Sequence, residues 1–135
     1  MTIPTGTTKE DIKARERIIA QFYQKWKTQN PSLRRYNLSL KDYVNIRNVS
    51  ILETSEKAAR SYLSTLAVLQ LDSVLTNAVK LKTVAAKQGT KNQKSFEKMI
   101  LMFCKLEGIG IVKLTVGMRR SDKEKVQYCI TVINA

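Results

Sequence analysis

A chain of 135 residues, 43% hydrophobic and 26% charged, is long enough for one hydrophobic core and too short for two comfortable domains, so a single domain over residues 1–135 is expected rather than disorder. Its 24 Lys plus Arg against 11 Asp plus Glu leave a formal net charge of +13, which points to a polyanionic partner. With no long apolar run, no lipidation signal and an opening Met1-Thr2-Ile3-Pro4-Thr5-Gly6 that is not leader-like, nucleic acid is the expected partner and a membrane is not.

In chain order, Thr7 followed by Glu10 fits a capping box, and Ile12, Ile19, Phe22, Tyr23 and Trp26 fall on one face of a helix expected to run to Gln29. Asn30-Pro31 ends it. Arg34-Arg35-Tyr36 is placed in the following loop, where a basic pair beside an aromatic could meet phosphate and base together. Ser39 is expected to cap a short helix through Leu40, Tyr43, Val44 and Ile46. Thr54 is expected to cap a long central helix with Ala59, Leu63, Ala67 and Leu71 on one stripe, and Asp72 to cap a last turn to Asn77.

From Ala78 the period becomes two. Val79 and Leu81 alternate with Lys80 and Lys82, predicting a short strand whose lysines share one face. A polar loop from Ala86 to Lys94 carries Lys87, Lys91 and Lys94 around Gly89. Phe96 to Leu106 satisfies both helix and strand spacing; its unbroken Ile100-Leu101-Met102-Phe103-Cys104 run favours a strand covered on both faces. Gly108-Ile109-Gly110 then suits a tight reversal into a hairpin. On its first strand Gly110, Val112, Leu114, Val116 and Met118 alternate with Ile111, Lys113, Thr115 and Arg119; on its second, Val126, Tyr128, Ile130 and Val132 alternate with Gln127, Cys129 and Thr131. The fold class expected is α+β, with N-terminal helices over about 7–77 packed on a C-terminal antiparallel meander of three to four strands over about 78–134.

The chemistry these residues can offer is narrow. There is no histidine, and Cys104 and Cys129 lack metal-ligand spacing, so no metal site and no cofactor is expected. The thiols read as free in a reducing cytoplasm, with a single Cys104 to Cys129 disulfide left open. Neither GxxxxGK[ST] nor GxSxG occurs, which argues against a nucleotide-triphosphate loop or a serine nucleophile.

The stretches LDSVLTNAVKLK, SFEKMILMFCKLEGIGIVKLTVGMRR and KVQYCITVI resemble the domain superfamily that unites barnase, EndoU, colicin RNases and RelE toxins, in the version carried by polyvalent phage and mobile-element proteins. The resemblance covers less than half of the chain. It implies metal-independent RNA cleavage, in which a 2'-hydroxyl attacks its own phosphate and cations stabilise the phosphorane. Lys113, Arg119 and Arg120, with Lys80 and Lys82, are the residues that would supply charge under that reading. The acid and base are missing from the pattern, leaving a lysine, a tyrosine or an acid such as Glu97.

Three readings follow. The first is a nucleic-acid-binding module with a toxin-like fold and no turnover, RNA favoured over DNA, using Arg34, Arg35, Lys80, Lys82, Lys87, Lys91, Lys94, Lys113, Arg119 and Arg120. The second is a toxin-like ribonuclease, with Lys113, Arg119 and Arg120 at the phosphate. The third is a protein-interaction domain acting through the helical half.

Overall fold

The computed structural model describes residues 2–133. Its elements are α1 (Lys9–Gln29), β1 (Arg34–Asn37), β2 (Asp42–Asn45), α2 (Asn48–Ala58), α3 (Tyr62–Val68), α4 (Leu71–Asn77), β3 (Val79–Ala85), β4 (Phe96–Leu106), β5 (Gly110–Arg119) and β6 (Lys125–Val132), with a 3-10 turn at Lys91–Gln93. The class is α+β. The sheet is larger than a three- to four-stranded meander: six strands in the order β1-β2-β6-β5-β4-β3, with β2 parallel to β6 and the other pairs antiparallel. It curls until its two ends approach, where the Lys80 backbone N–H donates to Ser39 Oγ (3.0 Å) at the tip of the β1–β2 hairpin.

Helix α1 starts one residue later than the capping box predicts. Thr8, not Thr7, is extended and accepts the Asp11 N–H (3.1 Å). The stripe reaches the core as expected through Ile19, Tyr23 and Trp26, while Arg15 is fully buried and donates to the carbonyls of Ala59 (2.8 Å) and Pro4 (2.7 Å).

The segment from Leu33 to Ile46 departs most from expectation. Arg34-Arg35-Tyr36 is strand rather than loop, and Tyr43, Val44 and Asn45 are strand rather than helix. The apolar spacing there fits either period, and what decides is pairing: Tyr36 sits directly across from Tyr43, Arg35 across from Val44, and Val44 is sealed in the core. Lys41 takes positive φ (53°) in the connecting turn.

The long central helix is two helices. α2 begins at Asn48 with the Arg47 N–H on Ser50 Oγ (3.0 Å), which leaves Thr54 buried in mid-helix instead of capping. Ser61 then caps α3 through the Ser64 N–H (3.1 Å). Asp72 does not cap α4; its carboxylate accepts the Trp26 indole N–H (2.8 Å) and pairs with Arg35 (3.5 Å).

From β3 onward the alternation holds, with a one-residue irregularity at Glu97 in β4 and two further interruptions. Phe96 to Leu106 is strand, and Gly108 and Gly110 take the positive φ (77° and 126°) that the reversal requires. Cross-strand partners share a face. Met102, Leu114 and Ile130 form one row, all fully buried toward the helices. Leu101, Thr115 and Cys129 form a row on the opposite face.

The first interruption lies at Leu81. Lys80 is opposite Met102 and Lys82 opposite Leu101, so one extra residue sends the two lysines to opposite faces, against the expectation that they share one. The second lies at Gln127–Tyr128, where Thr115 pairs with Cys129 and Val116 with Gln127. Gln127, expected on the outer face, is therefore fully buried, accepting from the Tyr23 hydroxyl and donating to Thr54 Oγ1 (2.7 Å). Burial drives the Tyr23 phenol well above its ordinary pKa. Val126 and Tyr128 pack instead with Phe96 and Met99 in a second small core.

Candidate nucleic-acid interface

The helices lie on one side of the curled sheet and beside β6, which leaves part of the other face open: at one end Phe96 and Met99 are buried in the second small core, and the face is uncovered from Leu101 to Lys105 on β4 and over the neighbouring parts of β3 and β5. Mid-strand Leu101, Phe103, Lys113 and Thr115 are only half-buried there, and Val79, Lys82, Lys105 and Ile111 are exposed. Registration makes this face a grid. One row runs Val79, Phe103, Lys113, Thr131 and the next Lys82, Leu101, Thr115, Cys129. Phe103 thus has Lys113 directly across from it, a Cβ separation of about 5 Å, with Lys105 two residues along its own strand. An aromatic ring among cations on an open antiparallel sheet offers stacking to a base and charge to its phosphate.

Helix α2 bounds this face beyond β6. Cys129 Sγ lies 3.9 Å from the Glu53 carbonyl oxygen, and its thiol pKa is pushed up to about 11, first by burial and then by the Glu53 charge. The Glu53 side chain is nearly buried and accepts from the Tyr128 hydroxyl (3.0 Å) and from Asn92 Nδ2 (2.6 Å). Burial foremost, together with Glu53, raises the Tyr128 phenol to about 12. Asn92 and the bond from the Lys87 N–H to Gln93 Oε1 (2.8 Å) fasten the loop that presents Lys87, Lys91 and Lys94 to solvent.

The hairpin carries a second aromatic and cationic patch. Tyr36 and Tyr43 are 42% and 40% exposed, meet edge to face at 5.4 Å, and the Arg34 guanidinium lies 3.9 Å above the Tyr43 ring. Although Arg34-Arg35-Tyr36 is strand and not loop, Arg34 and Tyr36 lie beside one another on the outer face of the strand pair. Arg35 points the other way, to Thr76 Oγ1 (3.2 Å) and Asp72.

The predicted cations therefore separate into two groups. Among the described residues, Lys80, Lys82, Lys87, Lys91, Lys94 and Lys113 take part in no ion pair. Arg119 pairs with Asp122 (2.8 Å) and with Glu124 (3.0 Å), which also holds Arg47 (2.6 Å). Arg120 donates to Gln88 Oε1 (2.9 Å) and the Phe96 carbonyl (3.1 Å). Arg119 shares the face of Lys113 but lies six residues further along β5, a separation of about 20 Å at strand rise. The two do not converge on one phosphate. Glu97 pairs with Lys123, whose hydrogen bond holds its carboxyl below the usual range.

No family model, curated protein or solved structure matches the chain. The arrangement of its own residues carries the functional argument.

Phe103, Lys105, Tyr43, Lys98 and Lys125 were not singled out by the sequence. Phe103 sits inside an apolar run that reads as buried on both sides, although the pattern 101, 103, 105 of Leu, Phe and Lys marks an outer face once the strand is accepted. Both cysteines are free thiols on opposite faces, Cys104 opposite Val112 and Cys129 opposite Thr115. Among the described residues no helix is long and apolar enough to cross a membrane.

Proposed function

We propose that this chain is a basic nucleic-acid-binding module that holds single-stranded segments, RNA in preference to DNA, on the uncovered face of β3–β5 and does not turn its ligand over. The observation that carries the reading is Phe103 at the centre of an open sheet with Lys113 across from it and Lys82 and Lys105 beside it. Single-stranded RNA presents unstacked bases to such a platform, and base stacking on an aromatic contributes about 1–3 kcal/mol per base. The Arg34, Tyr36 and Tyr43 patch and the Lys87–Lys94 loop supply further contacts, and the net charge of +13 favours encounter.

Absence of turnover is part of the proposal because, although Lys80, Lys82 and Lys113 are unpaired among the described residues, the arginines of the toxin-like resemblance and the groups that could act as acid or base are engaged elsewhere. Arg119 is held by carboxylates, Glu97 by a lysine, and Tyr128 is buried against Glu53. A reducing, cytoplasmic setting and mobile-element origin belong to the same reading, the former supported by two unpaired thiols.

Fluorescence anisotropy with a labelled RNA oligonucleotide in EDTA tests it. Phe103→Ala with Lys113→Glu is expected to weaken binding at least tenfold while the RNA stays intact. Cleavage to 2',3'-cyclic phosphate ends by wild type, lost on Lys113→Ala, would replace the module with a ribonuclease. Unchanged affinity in the double variant would remove the sheet face from the interface.

A further inference from the structure

The opposite, helix-side face of the sheet opens at one end into a concave space of about 340 Å³ between the hairpin tip and strands β3, β4 and β5. Lys80, Lys98 and Lys125 line it together with Ser39 and Thr83. Its floor is apolar, formed by Ile100 and Met118. Simple alternation would put Lys80 on the same surface as Lys82; the extra residue at Leu81 brings it here instead.

Its charge is unbalanced. Asp42 is committed to Lys125 (2.6 Å), and that hydrogen bond holds the Asp42 carboxyl below its usual range. Lys80 and Lys98 have no carboxylate partner among the described residues. Ammonium groups drawn around one hollow repel each other, and the repulsion is relieved when an anion enters. The Ser39 oxygen already accepts the Lys80 N–H, which fixes the rim and leaves its own hydroxyl proton free to donate. The space suits a small ligand rather than a polymer groove, since ligand pockets begin at about 300 Å³.

We infer that this hollow is a binding site for a phosphomonoester, with Lys80 and Lys98 on the phosphate and the Ile100 and Met118 floor under the group that bears it. The dianion can come from a free mononucleotide or from the phosphorylated end of an oligonucleotide. The inference does not rest on the sheet-face interface, from which it is separated by the thickness of the sheet.

The experiment follows amide shifts of the 15N-labelled protein on addition of AMP, adenosine and inorganic phosphate, and compares RNA hexamers with 5'-phosphate and 5'-hydroxyl ends. AMP is expected to shift Lys80, Thr83 and Lys98, with adenosine at least tenfold weaker. Lys98→Glu is expected to abolish the AMP shifts, and Lys80→Gln, a milder change at an exposed position, to reduce them severalfold; circular dichroism checks that both variants fold. A 5'-phosphate preference among the hexamers that Lys98→Glu removes identifies a strand end as the source, whereas AMP binding without that preference identifies the free nucleotide. Equal response to AMP and adenosine, or AMP binding that survives Lys98→Glu, overturns the site. Phe103→Ala is the cross-check, since it should leave AMP binding intact and impair only the sheet-face reading.

Discussion

The two ends of β5 are made from the same kinds of residue and are put to opposite uses. Near its start, Lys113 stands on an open face beside Phe103 with no carboxylate partner among the described residues. At its end, Arg119 is enclosed by Asp122 and Glu124 and lines a cavity with Arg47 and Phe96. A cation identified by sequence alone carries no label for either fate. Its neighbours in the fold decide whether its charge is consumed internally or remains available to a ligand.

That contrast is sharpened first at Gly117, on the internally committed side. A Cβ there would lie 2.8 Å from three atoms of the Phe96 ring, closer than any ordinary contact, and that ring already packs edge to face on Tyr128. Gly117→Ala should therefore destabilise the fold by about 1–3 kcal/mol through overpacking. Thermal unfolding measures this, and RNA affinity of the folded fraction should be unaltered. A fully stable variant would show that this corner is loosely packed.

The next effect is the paired comparison of Arg119→Ala and Lys113→Ala. Arg119→Ala should lower stability by up to about 1 kcal/mol, as befits partly exposed ion pairs, with RNA affinity nearly unchanged. Lys113→Ala should do the reverse: stability holds, and the slope of log affinity against log salt falls by about 1. If Arg119 proved to carry the salt dependence, the division between the two ends of β5 would collapse.

The smallest effect is on acid stability. Hydrogen bonds from Lys125, Lys123 and Arg119 hold Asp42, Glu97 and Asp122, in that order, below the ordinary carboxylate range. Because the folded pKa values are depressed, the stabilisation is complete above about pH 4, the unfolded value, and is lost as pH falls through the lowered ones. Unfolding temperature should be flat from pH 8 to pH 5 in respect of these groups and decline below pH 4, less steeply in high salt.

Strands β3 to β6 could be read from the sequence on unequal signals: β5 and β6 alternate over eight residues or more, β3 alternates from Val79 to Lys82, and β4 rests on its unbroken apolar run, which also fits helix spacing. The β1–β2 hairpin could not, since four-residue strands owe their existence to partners: β2 to its parallel neighbour Val126, and Asn37 to the Leu75 and Ala78 carbonyls (2.8 and 2.9 Å) at the end of α4. The candidate site was legible in the same uneven way. Lys113 was placed on an outer face correctly, as period two requires. Phe103 was hidden because a continuous apolar run reads as doubly covered, and the helices of this chain are spent on β6 and the inner face. Arg119 looked available because its partners, three and five residues downstream, reach it only when the turn with Lys123 at positive φ (62°) folds back.

The unpaired residue at Leu81 has a reach beyond its own strand. Side chains on a pleated ribbon alternate, so a single surplus backbone unit reverses their parity from that point on. A seven-residue segment thereby addresses two separate compartments, Lys80 inward and Lys82 outward, where an unbroken ribbon of the same sequence would send both charges to one side.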